Sequence, residues 1–260
     1  MEPVCNLPVS VATYAPEGTT NAFLIGTSGA ILVDPAARTD ALDREVAQRG
    51  VAHILVTHTH PDHVGGVASY AEKTGAAVWA HRGREELFEQ ATGVAPDRTF
   101  IEGTTLTAES GEQIIILDTP GHARDHVALE STHGIFSGDL VVKEGSVVVA
   151  AGEGDVRAYL TSLRRLVARN PPRLYPGHGE VIENVRETCE RLIRHRLERE
   201  QRVLAAVRAG TTTLETITDD AYEKDISAVR SLAEGTVAAH LEKLAVEHKV
   251  RWDGERASPR

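Results

Sequence analysis

The sequence predicts an α/β fold: an αββα sandwich followed by a small helical, winged-helix-like domain. Three observations carry that prediction. Strand-like and helix-like patterns alternate from about residue 8 to 183. Within that stretch, short apolar runs repeatedly end in glycine-bordered loops that carry histidine or aspartate. After Val181 and Ile182 the character changes to an unbroken, charged, helix-favouring stretch over residues 184–209. These observations place a catalytic domain at residues 1–183 and a helical domain at 184–260.

Helical patterns fall at residues 38–49, 65–74, 82–91 and 155–169. Ile54, Leu55 and Val56 form a short, partly β-branched apolar run that reads as a buried strand delivering THTHPDHVGG, residues 57–66. Residues 114–117 (IIIL) likewise lead into DTPGH, and GIF at 134–136 leads into SGD. Asn170, Pro171 and Pro172 stop the fourth helix before the strand that ends in YPGHG, residues 175–179. Gly210 closes the long helix. Residues 211–217, 228–244 and 246–252 then read as helix, helix and a short basic β-wing. Leu232, Val237, Leu241 and Leu244 recur near helical spacing, as a small helical core requires.

Metal binding explains the THTHPDH motif better than structural packing does. His58, His60, Asp62 and His63 put four ligand-type side chains within six residues. In an extended chain, His58 and His60 project to one side, because side chains alternate with a period of two. Pro61 is expected to block helix there, letting Asp62 and His63 reach a second position. Gly65 and Gly66 permit close backbone approach at the following turn. His122, Asp139 and His178, each at a strand end beside glycine, are weak candidates singly and stronger as an ordered set.

That order, THTHPDH, then PGH, SGD and PGHG, resembles the binuclear pattern of the metallo-β-lactamase superfamily. The resemblance implies that His58, His60 and His122 hold one metal and that Asp62, His63 and His178 hold the other, with Asp139 bridging them. It also makes residues 20–26 and 30–34 the opening strands and puts Asp34 beneath the ligand loop. Five imidazoles and two carboxylates without a thiolate suit two zinc ions first, with manganese or iron second. Such a pair, about 3.5 to 4 Å apart, can share a hydroxide at neutral pH, so that no serine or cysteine nucleophile is needed. Asp62 is expected to act in catalysis as well as in binding. His126 is the nearby general-acid candidate, or else a histidine that supports a ligand or pairs strands.

Over about residues 20–252 the chain is similar to the beta-lactamase-like-protein-2 group, in which a small winged-helix-like tail follows the catalytic domain. The matching segments are residues 119–129, 135–146, 174–182 and 195–201. That resemblance implies a metal-dependent hydrolase and leaves two substrate classes, carrier-bound acyl thioesters and single-stranded RNA. Residues 1–183 hold 14 Lys+Arg against 24 Asp+Glu, whereas 184–260 hold 14 of each, so a polyanion would meet a repulsive catalytic domain. The arginines at 186, 191, 194, 196, 199, 202 and 208 are interleaved with Glu187, Glu190 and Glu198, the pattern of a solvated helix face. Only 58 residues separate His63 from His122 and 38 separate Asp139 from His178, leaving no room for a large domain inserted over the site. A thiolate leaves without a proton, since a thiol's pKa is about 8.5.

The expected activity is therefore hydrolysis of a thioester or activated ester, of small-molecule or carrier-bound acyl type. Single-strand endoribonuclease is the alternative. A nucleic-acid-binding regulator with an inactive catalytic domain is a third reading, disfavoured by the complete ligand set. Cys5 and Cys189 are expected to be buried, reduced thiols. The amino-terminal residues lack a signal pattern and no stretch is apolar enough to span a membrane, so a cytoplasmic protein without membrane association is expected. Whether the chain forms a homo-oligomer is left open.

Overall fold

The computed structural model describes residues 1–260. By contacts the chain divides into two compact units. The first comprises Met1–Asp118, Asp125–Lys143 and Pro171–Val185; the second comprises Thr119–Arg124, Glu144–Asn170 and Arg186–Arg260. The second unit thus takes in two segments upstream of the expected 183/184 boundary.

In the first unit, strands β1 (Val4–Ser10), β2 (Thr19–Ile25), β3 (Ala30–Val33), β4 (Val51–Leu55), β5 (Ala77–His81) and β6 (Arg98–Phe100) form one sheet in sequence order. The first three are antiparallel, and β3 to β6 run parallel. Successive side chains face opposite ways, and here both faces are covered. Ala22, Leu24, Leu32, Ile54 and Val78 pack in one cluster with Leu42, Val46, Val67, Tyr70 and Phe88. Those partners lie on α1 (Asp40–Arg49), α3 (Val67–Thr74) and α4 (Glu85–Thr92), while α2 (Pro61–Val64) is a single turn. Thr39 starts α1 by accepting the Leu42 N–H, satisfying one of the first-turn donors.

The alternate residues Phe23, Ile25, Ile31, Val33 and Leu55 face a second sheet and pack with its Ile114, Ile116, Val127, Leu129 and Phe136. That sheet contains β7 (Thr105–Thr107), β8 (Gln113–Asp118), β9 (Val127–Ser131), β10 (Gly134–Gly138) and β11 (Leu174–Pro176), in the order β11-β10-β9-β8-β7. Phe136 lies 5.0 Å from Phe23 edge-on and 4.7 Å from Tyr175 in a stack, joining the two sheets. Each such buried side chain contributes roughly 1.5–3 kcal/mol. The result is a mixed α/β sandwich of sheets and helices. Because β4 is buried on both faces, its carboxyl end is a rigid support for residues 57–63.

The second unit is mainly helical. Asp155 caps α5 (Val156–Arg169), accepting from Arg157 and Ala158, and Asn170 ends it in the left-handed conformation at φ 47°. Next come α6 (Val185–Arg208), α7 (Leu214–Ala221), a 3-10 turn at Ser227–Val229, α8 (Arg230–Val246) and the hairpin of β12 (Val250–Trp252) with β13 (Ala257–Pro259). Val203, Val207, Ile217, Val237, Leu241 and Leu244 form its core with Val250 and Ala257. The expected wing is shorter than 246–252, since Val246 still belongs to α8 and strand begins at Val250. No helix is long and apolar enough to cross a membrane.

Candidate metal centre

The chain leaves β4 into Thr57 and His58, both buried, and the turn α2 follows at once. Pro61 does not exclude helix, contrary to the sequence expectation. It opens α2 at the first helical position, where a proline N–H would have had no partner in any case. Gly65 and Gly66 are required by close approach: a Cβ on either would lie 2.5 Å from a carbonyl oxygen, of Ala36 and Pro35 respectively.

Beneath this loop sits Asp34, fully buried and at φ 49°. Its Oδ1 accepts the Thr57 N–H at 2.7 Å, and its Oδ2 accepts the Thr57 hydroxyl at 2.8 Å. The same Oδ2 lies 3.0 Å from His63 Nδ1. That contact keeps a proton on Nδ1, so that Nε2 is the nitrogen left to face a cation. The Thr57 hydroxyl, spending its proton on Asp34, receives His58 Nδ1 at 3.1 Å in the same sense. His58 Nε2 then lies 2.9 Å from His60 Nδ1.

Two groups of ligand atoms converge in the first unit: His58, His63 and Asp139, and Asp62, His63 and His178, each set within 4.8 Å. His63 Nε2 is buried without a hydrogen-bond partner and stands 3.4 Å from Asp139 Oδ1. His178 Nε2 stands 3.2 Å from Asp139 Oδ2 and 3.5 Å from Asp62 Oδ2. Ligand atoms around a tetrahedral zinc at 2.0–2.2 Å are spaced about 3.3–3.6 Å apart. The donor set and its spacing therefore fit divalent cations. Burial alone would lower the His63 and His178 pKa values, but the carboxylates prevail: Asp139 and Asp34 hold His63 well above its usual range, and Asp139 raises His178. The pocket's field favours positive charge.

His178 is aimed from behind by Thr19, whose carbonyl oxygen faces Nδ1 at 2.8 Å. Asn21, which sequence reasoning missed, clamps the loop bearing His178. Its side-chain amide donates to the Pro176 oxygen at 3.0 Å and the Gly179 oxygen at 2.8 Å, and its main-chain N–H donates to the Gly177 oxygen at 2.7 Å. A Cβ on Gly177 would lie 2.5 Å from Asp139 Oδ1, so that position has room only for glycine. His126 is buried, and its Nε2 accepts the Asp139 N–H at 3.1 Å. It thus lies behind Asp139, outside the two groups of ligand atoms. His122 stands on the loop Thr119–Arg124 of the second unit, with Nδ1 2.7 Å from the Val148 oxygen.

The cysteines are not placed for catalysis. Cys189 is buried, and burial pushes its thiol up to about 12. Cys5 is only half-buried, contrary to expectation, and burial together with Glu45 raises its pKa. Nor are all the arginines of α6 solvated. Arg196 and Arg199 are buried, on the Val147 and Ala221 carbonyl oxygens respectively.

The family model of the metallo-beta-lactamase superfamily matches residues 15–178. The beta-lactamase-like protein 2 homolog of Drosophila melanogaster is 33% identical over 254 residues, 89% of this chain and 84% of that protein. The thioesterase pkgB of Emericella nidulans is 34% identical over 197 residues, 72% of this chain and 53% of that protein. Among solved structures, a metallo-beta-lactamase family protein from Thermus thermophilus superposes with a TM-score of 0.80 at 27% identity, covering 99% of both chains. The chain belongs to the metallo-beta-lactamase superfamily and is one of its metal-dependent hydrolases.

Proposed function

We propose that the chain hydrolyses a thioester or related activated ester, of small-molecule or carrier-bound acyl type, at a binuclear zinc site. In this reading His58, His60 and His122 hold one ion, Asp62, His63 and His178 the other, and Asp139 is shared; manganese or iron are the alternatives. The observation that carries the reading is the buried His63 Nε2, which faces Asp139 Oδ1 at 3.4 Å without a hydrogen bond. A buried polar atom left in that state is costly unless something else partners it.

When bound, two divalent ions would supply a water that ionises near neutrality and a Lewis acid for the carbonyl oxygen. The chain's residues do the rest. Asp34 fixes the His63 tautomer and, through Thr57, that of His58. Asp62, partly exposed, accepts at its carboxylate the proton released as water adds to the carbonyl. The carbon–sulfur bond then breaks to give acid and thiolate, and a thiolate needs no proton donor to leave, its pKa being about 8.5. That suits a site whose nearest acid candidate, His126, uses Nε2 to accept from the Asp139 main chain. His126 is accordingly proposed to orient Asp139.

The net negative charge of residues 1–183 and the burial of Arg196 and Arg199 weigh against the endoribonuclease alternative. The relative named a thioesterase supports the ester reading. The helices and hairpin after residue 184 are proposed as a winged-helix-like domain that shapes the enzyme rather than binding nucleic acid. The test is turnover of a chromogenic thioester beside a labelled single-stranded RNA, each with and without chelator. Chelator-sensitive thioester hydrolysis is expected, with RNA uncut and bound only at roughly 10⁻⁴ to 10⁻⁶ M in physiological salt. Chelator-sensitive RNA cleavage without thioester turnover would reverse the assignment.

A further inference from the structure

Val148, whose carbonyl oxygen faces His122 Nδ1, lies in a segment without regular secondary structure between β10 and α5. A carbonyl in such a segment keeps its direction only if its neighbours are tied elsewhere. Here the ties come from the two long helices of the second unit. Arg191 of α6 donates to the Gly145 oxygen at 2.6 Å, and Arg196, one turn further along, donates to the Val147 oxygen. From α8, the Gly235 oxygen accepts the Ala151 N–H at 3.0 Å, and a Cβ on Gly235 would stand 3.1 Å from the Ala151 neighbour Ala150.

Arg196 is only 3% exposed, and its guanidinium lies over the Tyr159 ring of α5 at 5.5 Å. Burying a guanidinium is costly, and this one spends a bond on the carbonyl next to the one His122 uses. The other side of His122 is held within the same unit. Asp155 N–H donates to the Gly121 oxygen at 2.8 Å, and the Ser162 hydroxyl donates to the Pro120 oxygen at 2.8 Å.

We infer that Arg196, assisted by Arg191, is a positioning residue for His122: α6 grips the segment around Val148, and the Val148 carbonyl fixes the tautomer and ring direction of the ligand. The carboxyl-terminal helices are then part of the machinery that builds the metal centre. This rests on the proposed role of His122 as a metal ligand. Partners that orient ligands through the second ring nitrogen are typically worth about 10–100-fold in metal affinity.

The experiment uses the full chain, stripped and reloaded with Zn²⁺ or Co²⁺, and reads ions per chain, affinity by chelator competition and the Co²⁺ absorption spectrum. His122→Ala is expected to lose one ion of two. Arg196→Met should weaken one ion about 10–100-fold and alter its Co²⁺ bands, while the affinity of the other ion and the circular dichroism of the metal-free protein stay unchanged. Arg191→Met, at a half-buried residue, should shift the same ion in the same direction by a smaller factor. If His122→Ala binds metal as the unmodified protein does, the ligand reading fails and the positioning role with it. If His122→Ala loses an ion while Arg196→Met and Arg191→Met keep both at unchanged affinity, the positioning role alone is overturned. Should Arg196→Met not fold, Arg191→Met decides, and an unchanged affinity there overturns the inference.

Discussion

His63 shows how much of this centre is settled by single side chains. Its Nδ1 belongs to Asp34 and its Nε2 faces Asp139, so the ring can turn neither way. Asp139 faces His63 with one oxygen and His178 with the other, and Asp139→Ala should therefore loosen both proposed ions. Elemental analysis is expected to give well under two ions per chain for that variant, and kcat should fall on the order of 10³-fold, about 4 kcal/mol of transition-state stabilisation. Retention of two ions at unchanged affinity would remove Asp139 from the centre. The thiols provide the complementary control. With Cys189 pushed up to about 12 and Cys5 also raised, little thiolate exists at neutral pH. Cys5→Ala combined with Cys189→Ala should leave kcat nearly unchanged, and an acyl-cysteine adduct detected by mass spectrometry would overturn the proposed chemistry.

Among the elements, β4 and the loop it launches were legible in the sequence because a short apolar run and clustered histidines and aspartate leave strong marks. The helices of the first unit were legible for the same reason, since α1, α3 and α4 carry apolar faces at helical spacing. What stayed hidden were the parts whose chemistry is main-chain. The carbonyls of Thr19 and Val148, which face the His178 and His122 rings, have no letter of their own, and Asn21 looks like any polar strand residue until the PGHG loop folds over it. On α6 the pattern misled for a different reason: an arginine interleaved with glutamates reads as solvated, yet Arg196 and Arg199 are buried on carbonyls and tyrosine rings. Those buried charges also set a pH dependence. His195 on α6 is lowered to about 4 by burial and the neighbouring arginines, and burial lowers His240 on α8 as well. Both protonate more readily when unfolded. The contribution of His195 is therefore present above about 6.5 and lost as pH falls towards 4, and that of His240 is lost in the same direction. The melting temperature of the metal-free protein should fall over that interval, and His195→Gln should flatten the fall; an unchanged slope in the variant would contradict the assignment.

Across the whole chain, charge and metal ligands point to one division of labour. Residues 1–183 hold the entire net charge of −10, while 184–260 are balanced. Divalent cations and a compact acyl substrate are compatible with such a surface, whereas a phosphate backbone meets repulsion. Family membership fixes the sandwich and the metal-dependent class; the thioester assignment depends on how the metals and the leaving group work together. The most direct test is to titrate Zn²⁺ into the metal-stripped protein while following hydrolysis of a chromogenic thioester and counting bound ions. The account predicts that turnover appears as the second ion per chain is filled and disappears with chelator. Full turnover at one ion per chain, or turnover that persists in chelator, would contradict it.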